Sequence, residues 1–524
     1  MRDWMIAIGL SLSVVAPVTA QGTRPYTFRM VVGRDTVASD VVTRTPTQVD
    51  VDMVYRAGGQ RWHYTMTVAP DQRVTGITSA FYRVAQGDTA PYQTAVAEFV
   101  GDSVHVKISG SVSRTETIAT TPGAIPYVNP SSGMIEQLLR RARAMGGATD
   151  TVPIFAMVGG HTIPVSVTWQ GADSAVLHLA GVEMRAAVGP DGSLLGLTVP
   201  AQNAHVVRLD GAHPLVLEKI DYGAPPGAPY TAEDVTVHTP GGLALTGTLT
   251  LPEARAGRVP AVVTITGSGA EDRDERIPMV RGYRPFWQIA DTLARRGIAT
   301  LRLDDRGVNG SSAGPEGATS ADFANDIRAA LAYLQTRSEI DDSRLALVGH
   351  SEGGLIAPMV AATESSLRGI VLMAGPAYTG RRIIAYQQRN AVEHAPSLTP
   401  AERKKALAQS EKETAQLASK NGWLRFFLDY DPLPTARKVR VPVLILQGET
   451  DHQVTPEQAD TLAAAFRAGG DRDVTLRKFP DTDHLFLADS SGQPSGYAAL
   501  PSHAVRPEVL GAIADWLTAH LGKS

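Results

Sequence analysis

The chain has 524 residues, of which 43% are hydrophobic and 19% charged, with a formal net charge of −4. Two or three domains are expected at this length, and the charge balance excludes a basic surface for nucleic acid and a strong attraction to anionic membranes. The absence of cysteine excludes disulfides, thiolate nucleophiles and zinc–thiolate sites.

Residues 1–20 have the pattern of a signal peptide. Arg2 precedes a largely apolar stretch, Met5–Val18, and small residues follow it before Gln21. The stretch is short and is interrupted by serines and a proline, which disfavours a membrane anchor. We therefore expect an exported protein, periplasmic or extracellular, without stable membrane insertion.

Residues 21–222 predict a β-rich antiparallel N-terminal domain. Apolar and polar residues alternate, as in Val104–Ile108, and glycine-rich turns separate the alternating runs. One helix is predicted over residues 133–145. We find no catalytic pattern here, and three histidines of this region fit the faces of a sheet better than a metal site: His105, His161 and His178.

Residues 223–231 read as a stiff linker rich in glycine and proline, and residues 232–524 change character. A hairpin is predicted over 235–251. Short apolar strands then alternate with amphipathic helices, which predicts a mostly parallel sheet covered on both faces, an α/β fold. The predicted strands are Ala261–Thr266, Ala299–Leu303, Leu345–Val348, Ile370–Met373, Val443–Gln447 and Val474–Phe479.

A charged helical insertion at about 377–438 interrupts this alternation, and we call it the cap. A capping box at Thr399–Glu402 starts one of its helices, and Asn421-Gly422 ends that helix. Four aromatic residues follow, and they form either the small core of the cap or the wall of a substrate pocket: Trp423, Phe426, Phe427 and Tyr430.

Two serines fit the pattern G-x-S-x-G, Ser351 and Ser312. A nucleophile elbow needs a strand that ends at the serine and a helix that starts directly after it. Ser351 follows the strand Leu345–Val348 and precedes an apolar helical run, whereas Ser312 is followed by Gly314–Gly317 in a loop. Ser351 is therefore the predicted nucleophile.

A serine hydroxyl needs a general base, and that base is oriented by a carboxylate. In elbow-containing folds the chain order is Ser, Asp or Glu, then His, each after a strand. Asp451 and His484 follow the last two predicted strands in that order. The rivals Glu449, His452 and His350 fit less well in position.

Backbone N–H groups are needed to stabilise the oxyanion of the tetrahedral intermediate. Glu352 directly follows the nucleophile at the start of the helix and is expected to supply one donor. The other is expected from the loop after Ala261–Thr266, from Ser268 or alternatively Gly267. We also expect a carboxylate of Glu271–Glu275 to pair with Arg306 and support this loop.

Four stretches resemble those of bacterial α/β-hydrolase carboxylesterases: Thr266–Glu275, Leu301–Ser312, Gly349–Gly354 and Gly448–Val454. Relatives usually carry His-Gly before the oxyanion loop, whereas Thr266 stands in place of that histidine here. The resemblance covers residues from about 232 to the C-terminus. It implies an α/β-hydrolase domain that cleaves short acyl esters through an acyl-serine intermediate.

The sequence thus predicts a serine esterase that acts on a small-molecule ester and needs no metal or cofactor. A serine peptidase of the prolyl oligopeptidase type is the first alternative, although the N-terminal region is short for a propeller and shows no blade-length repeat. A non-catalytic binding protein on a hydrolase scaffold is the second. The sequence gives no oligomeric state.

Overall fold

The computed structural model describes residues 24–522 except 34, 57–58, 84–88, 111–112, 180, 218–219, 254–256, 278–279, 316 and 395–397, and the side chain of residue 201. The predicted signal peptide, residues 1–20, lies outside the described residues. In the part of the chain that is described, no helix combines the length and the apolar character needed to cross a bilayer.

The N-terminal region forms one 15-stranded sheet, in which neighbouring strands are antiparallel apart from β9, which pairs in parallel with β10. The order is β8-β7-β6-β5-β4-β3-β2-β1-β15-β14-β13-β12-β11-β10-β9. The strands are β1 (Tyr26–Val32), β2 (Asp35–Arg44), β3 (Gln48–Tyr55), β4 (Gln60–Val68), β5 (Val74–Arg83), β6 (Gln93–Val100), β7 (Ser103–Gly110), β8 (Arg114–Ala119), β9 (Ile125–Tyr127), β10 (Thr149–Ala156), β11 (His161–Trp169), β12 (Ser174–Leu179), β13 (Val182–Val188), β14 (Leu194–Val199) and β15 (Ala204–Asp210).

Helix α1 (Ser132–Met145) packs on this sheet, one residue longer than predicted. Its apolar side chains recur at helical spacing, and Met134, Leu138 and Leu139 are buried in the core of the sheet. Ser131 caps the helix by accepting from the Met134 N–H. Burial of one such side chain stabilises the fold by about 1.5–3 kcal/mol, which explains why this helix is fixed on the sheet.

The C-terminal region forms an eight-stranded mixed sheet in the order β16-β17-β19-β18-β20-β21-β22-β23. Strands β16 and β17 form the predicted hairpin, β17 pairs antiparallel with β19, and the other pairs are parallel. The strands are β16 (Tyr230–His238), β17 (Ala244–Pro252), β18 (Val259–Ile265), β19 (Ala299–Leu303), β20 (Ile340–His350), β21 (Leu367–Met373), β22 (Val443–Gly448) and β23 (Val474–Phe479).

Helices cover both faces of this sheet. Helices α3 (Ser320–Thr336), α4 (Glu352–Ala361) and α9 (Glu457–Ala468) share one core, and α2 (Pro285–Ala294) and α10 (Pro507–Leu521) share the other. Strand β22 shows why its sequence is apolar throughout, because all six of its residues are buried and alternate residues enter opposite cores. The predicted α/β fold is confirmed.

The predicted cap is helical, with α5 (Gly380–Glu393), α6 (Pro400–Lys420), α7 (Gly422–Asp429) and α8 (Leu433–Ala436). The capping box of Thr399 and Glu402 is present at the start of α6. Asn421 ends α6 as predicted, and its side chain also caps α7 by accepting from the Leu424 N–H. Asn421 is the one residue that separates the two helices.

Candidate active site

Ser351 lies at a strained corner between β20 and α4. Its φ of 52° and ψ of −115° place it in a region that residues with a side chain rarely adopt. Glycines make the corner possible, because a Cβ on Gly349 would lie 2.2 Å from the Gly353 carbonyl oxygen, and one on Gly353 would lie 2.1 Å from the Ile265 carbonyl oxygen. The structure thus gives Ser351 the local geometry that the elbow pattern predicts.

Asp451 and His484 are in direct contact, although 32 residues separate them in sequence. The His484 Nδ1 lies 2.9 Å from the Asp451 Oδ2, and both side chains are buried. The other carboxylate oxygen of Asp451 accepts from the N–H groups of Gln453 and Val454 at 2.7 and 2.9 Å. This carboxylate is therefore fixed, and it can hold the imidazole in the tautomer with the proton on Nδ1.

His484 lies beside the corner that carries Ser351. The ring of His350, the residue before Ser351, has its centroid 4.9 Å from that of His484, and His350 Nε2 lies 2.9 Å from the His484 backbone oxygen. The loops after β20, β22 and β23 therefore meet at one edge of the sheet, the carboxyl ends of the parallel strands, where α/β folds place their sites.

The rival acid and base residues have other surroundings. Glu449 is exposed, whereas Asp451 is buried and bonded to the imidazole. His452 Nδ1 is 2.9 Å from the Tyr386 hydroxyl on the cap helix α5. His350 is buried with both ring nitrogens engaged, so it has no free nitrogen to accept the proton of Ser351.

Ser312, in the second serine pattern, has a structural contact. Its hydroxyl accepts from the Ala244 N–H at 3.0 Å, and its own N–H donates to the Ala244 carbonyl at 2.8 Å. These bonds join the loop after β19 to the start of β17. The next helix, α3, begins at Ser320, so Ser312 has neither the strand nor the helix of an elbow.

The backbone N–H of Gly267 is already bonded within the protein. It donates to Glu271 Oε2 and to Glu275 Oε1, both at 3.0 Å. Gly267 therefore does not fit the alternative role of oxyanion donor, and of the two candidates in this loop the structure favours Ser268. Glu352 is the first residue of α4, where N–H groups lack partners inside the helix.

Sequence reasoning missed the side chain of Glu352, which joins three segments around the site. Its carboxyl group accepts from the Ser320 hydroxyl at 2.6 Å and from Trp423 Nε1 at 2.8 Å, and it also bonds to the Ser268 hydroxyl. Burial raises the pKa of Glu352 above its ordinary value despite these donors. The sequence signal that could have indicated this junction is the glutamate directly after the nucleophile, at the start of an otherwise apolar helix.

The expected pairing of Arg306 with Glu271–Glu275 is wrong. Arg306 instead pairs with Asp326 on α3 at 2.6 and 2.9 Å, since both lie on that side of the sheet. The segment after the oxyanion loop is stabilised by two other arginines: Arg273 binds Asp304, and Arg302 binds Asp274.

Tyr222, at the end of the predicted N-terminal domain, inserts into this ion-pair network. The Arg273 guanidinium lies over its ring at 4.5 Å, and its hydroxyl donates to Asp272 at 3.1 Å. The Tyr222 hydroxyl also accepts from Asn309 at 3.2 Å, and its carbonyl accepts from Arg302 at 3.1 Å. The support of the oxyanion loop thus includes a residue outside the eight-stranded sheet.

Two of the four cap aromatics face the site and two face away from it. Trp423 bonds to Glu352 and stacks on Phe427 with centroids 5.4 Å apart. Phe426 and Tyr430 stack on each other at 5.2 Å and line an outer groove of about 470 Å³ with Gly317. The pocket-wall interpretation therefore fits Trp423 and Phe427, and it does not fit Phe426 and Tyr430.

A metal centre has no obvious place in the described part of the chain. No three His, Asp or Glu side chains there are grouped so that they could hold a metal ion.

Comparison with known proteins gives one family model that matches the part of the chain around this site. Residues 281–491 match the family model described as serine aminopeptidase, S33. The matched segment is less than half of the chain, and it agrees with the α/β-hydrolase architecture of the eight-stranded sheet. It contains the elbow, the cap, and both Asp451 and His484, whereas the oxyanion loop lies before it.

Individual relatives extend the comparison. Esterase EstD of Thermotoga maritima is 26% identical over 304 residues, which cover 55% of this chain and 68% of EstD. Dipeptidyl aminopeptidase BIII of Pseudoxanthomonas mexicana is 24% identical over 456 residues, which cover 81% of this chain and 62% of that enzyme. The Pyrococcus furiosus esterase Pf2001 superposes with a TM-score of 0.40 at 16% identity, covering 59% of this chain and 97% of its own.

Proposed function

We propose that this protein is a serine hydrolase that cleaves carboxylic esters through an acyl-serine intermediate, with Ser351, Asp451 and His484 as its triad. The observation that carries the proposal is the buried Asp451–His484 pair beside the strained corner of Ser351. The name of the relative EstD favours an ester as substrate over other acyl compounds.

In the proposed mechanism, the Ser351 oxygen attacks the ester carbonyl carbon while His484 Nε2 takes the hydroxyl proton. Asp451 stabilises the imidazolium that forms. The N–H groups of Glu352 and Ser268 stabilise the oxyanion, and a donor in such a position typically lowers the barrier by about 3–4 kcal/mol. The intermediate collapses, the C–O bond to the alcohol breaks, and His484 returns the proton to the leaving oxygen. A water molecule then attacks the acyl carbon while His484 takes its proton. The bond to the Ser351 oxygen breaks, the acid leaves, and His484 returns the proton to Ser351.

We further propose that the acyl groups are short. Trp423 donates to the residue next to the nucleophile, so the wall of the cap stands close to the reacting centre. An acyl series of p-nitrophenyl esters tests this, and kcat/KM is expected to fall as the chain lengthens. A maximum at long chains would contradict the proposal.

Labelling with a fluorophosphonate tests the nucleophile. The wild type should be labelled and Ser351→Ala should not. Ser312→Ala is a matched control, because it removes the hydroxyl of the second serine pattern, and this variant should still be labelled. Labelling that survives in Ser351→Ala would reject the triad, and an unlabelled wild type would favour a non-catalytic binding protein.

A peptidase is the second candidate, and two observations favour it. The family model is described as a serine aminopeptidase, and the alignment with dipeptidyl aminopeptidase BIII extends over 81% of this chain. Rates on p-nitrophenyl acetate and on an aminoacyl p-nitroanilide separate the two candidates. Each enzymatic rate is compared with the rate of uncatalysed hydrolysis of the same substrate. A larger enhancement for the anilide than for the ester would favour the peptidase.

We propose export as well, on the pattern of residues 1–20 alone. N-terminal sequencing of protein secreted by a bacterial host should find Gln21 first. A mature chain that retains Met1 would reject this.

A further inference from the structure

His350 is the buried residue directly before Ser351, and both of its ring nitrogens face an acceptor. Nδ1 lies 2.5 Å from Glu275 Oε1, and Nε2 lies 2.9 Å from the backbone oxygen of His484. A carbonyl oxygen can only accept a hydrogen bond, so Nε2 carries a proton. The remaining question is whether the proton between Nδ1 and Glu275 belongs to the imidazole or to the carboxyl group.

The contacts of Glu275 place that proton on the imidazole. The same Oε1 atom accepts from the Gly267 N–H at 3.0 Å, which a negatively charged oxygen does better than a hydroxyl. Burial lowers the pKa of His350, but Glu275 outweighs burial and the pKa lies above its ordinary value. The two contacts of His350 fit an imidazolium paired with the carboxylate of Glu275, whereas His484 must be neutral to act as a base.

We infer that Glu275 and His350 are a positioning pair, which holds the oxyanion loop at Gly267 and the backbone of the base at His484 in fixed positions relative to the nucleophile. Gly267 lies against the nucleophile, because a Cβ on it would be 3.4 Å from the Ser351 Cβ. One carboxylate and one imidazolium therefore join three parts of the site that are far apart in sequence. Neither group touches the substrate in this role.

Several charged and titratable groups surround the pair. Asp451 and His484 lie near His350 from the loops after β22 and β23. Glu271, Asp305 and the Tyr283 hydroxyl lie near Glu275. Burial, together with Glu275 and Asp305, raises the pKa of Glu271 well above its usual range.

This inference rests on the proposed function, and Glu275→Gln tests it in an enzyme whose activity has been established. Glutamine keeps the shape of the side chain but removes the charge that stabilises the imidazolium. We expect kcat to fall about 10- to 100-fold with little change in KM, since the loss concerns alignment in the transition state. His350→Gln should behave similarly, because both N–H groups of glutamine lie on one nitrogen and cannot reproduce the directions of the two ring nitrogens.

The pH profile separates positioning from general destabilisation. Without the carboxylate, His350 should lose a proton within the assay range, so the deficit of Glu275→Gln relative to wild type should grow from about pH 6 to about pH 9. Asp326→Asn is the matched control. It removes the charge from a different ion pair, Asp326 with Arg306, and Asp326 contacts none of Gly267, His350 or His484. A deficit that is constant with pH, or equal in the control, would overturn the inference.

Nitrogen NMR of histidine-labelled protein gives a readout that does not depend on turnover. Ser351→Ala protein should show His350 with both nitrogens protonated at neutral pH, and Glu275→Gln should lose this signature. A neutral His350 in protein that keeps Glu275 would overturn the inference, even if the enzyme is an esterase. An absence of esterase activity with an intact imidazolium signal would instead reject the proposed function.

Discussion

Trp423→Phe tests whether the cap is fixed over the site by its bond to Glu352. The substitution removes the Nε1 donor, 2.8 Å from Glu352 Oε1, and keeps an aromatic ring that can stack on Phe427. We expect α7 to open more often, and the turnover of small esters to change less than the selectivity between short and long acyl chains.

The magnitude follows from the partners that remain. A hydrogen bond contributes about 0.5–1.5 kcal/mol net, and about 1.5–3 when one partner is charged. Glu352 keeps the Ser320 hydroxyl at 2.6 Å as a donor, so the cost lies near the lower values, at about 1–1.5 kcal/mol. Since 1.36 kcal/mol corresponds to tenfold, the open population should rise about 5- to 13-fold.

Backbone hydrogen exchange over Gly422–Asp429 measures this opening, and kcat/KM along an acyl series measures its effect on selectivity. Phe426→Leu is the matched control, because Phe426 lies on the same helix but stacks on Tyr430 in the outer groove. Unchanged exchange in Trp423→Phe, or equal acceleration in both variants, would refute the role of the bond.

Two further substitutions test the corner and the loop of the base. Gly353→Ala should lose more than about 3 kcal/mol of unfolding free energy by denaturant titration, because its Cβ would lie 2.1 Å from the Ile265 oxygen, whereas Gly511→Ala, in open space on α10, should gain up to about 1 kcal/mol; equal effects would contradict the close approach. Burial raises the pKa of Asp483 to about 7. Between about pH 4 and 7 the folded state therefore holds a proton that the unfolded state releases, so the unfolding free energy falls as the pH rises through this range. Asp483→Asn keeps the acceptor for the Leu485 and Leu487 N–H groups, so between pH 5 and 7 the wild type should lose about 2 kcal/mol of unfolding free energy relative to it, and parallel urea midpoints would reject this.

The elements that sequence predicts well are those whose local pattern has a single physical explanation. The run Val443–Gly448 is apolar throughout because it is buried on both faces, and the chain around Ser351 reads as strand, small residues and helix. The positions of Asp451 and His484 followed from strand order. Their contact at 2.9 Å agrees with that expectation, while their roles in catalysis stay a prediction.

The choice of partners could not be predicted in the same way. Arg306 had several carboxylates within reach in sequence, and the contact between α3 and the loop after β19 decides for Asp326. The bond between Glu275 and His350 joins residues 75 positions apart, so no local pattern indicates it. The Gly267 N–H illustrates a further limit. Composition indicates a loop of small residues, but it does not indicate the direction in which this N–H group points.

Tyr222 has a consequence for any attempt to separate the two sheets. Its ring and hydroxyl complete the surroundings of Arg273 and Asn309, and its carbonyl accepts from Arg302. A shortened chain that starts at Tyr230 would leave those three side chains with a missing neighbour under the oxyanion loop. Weak turnover in such a truncation would then report this lost packing, and it would not show a functional role of the 15-stranded sheet. A truncated chain should therefore start before Asp221.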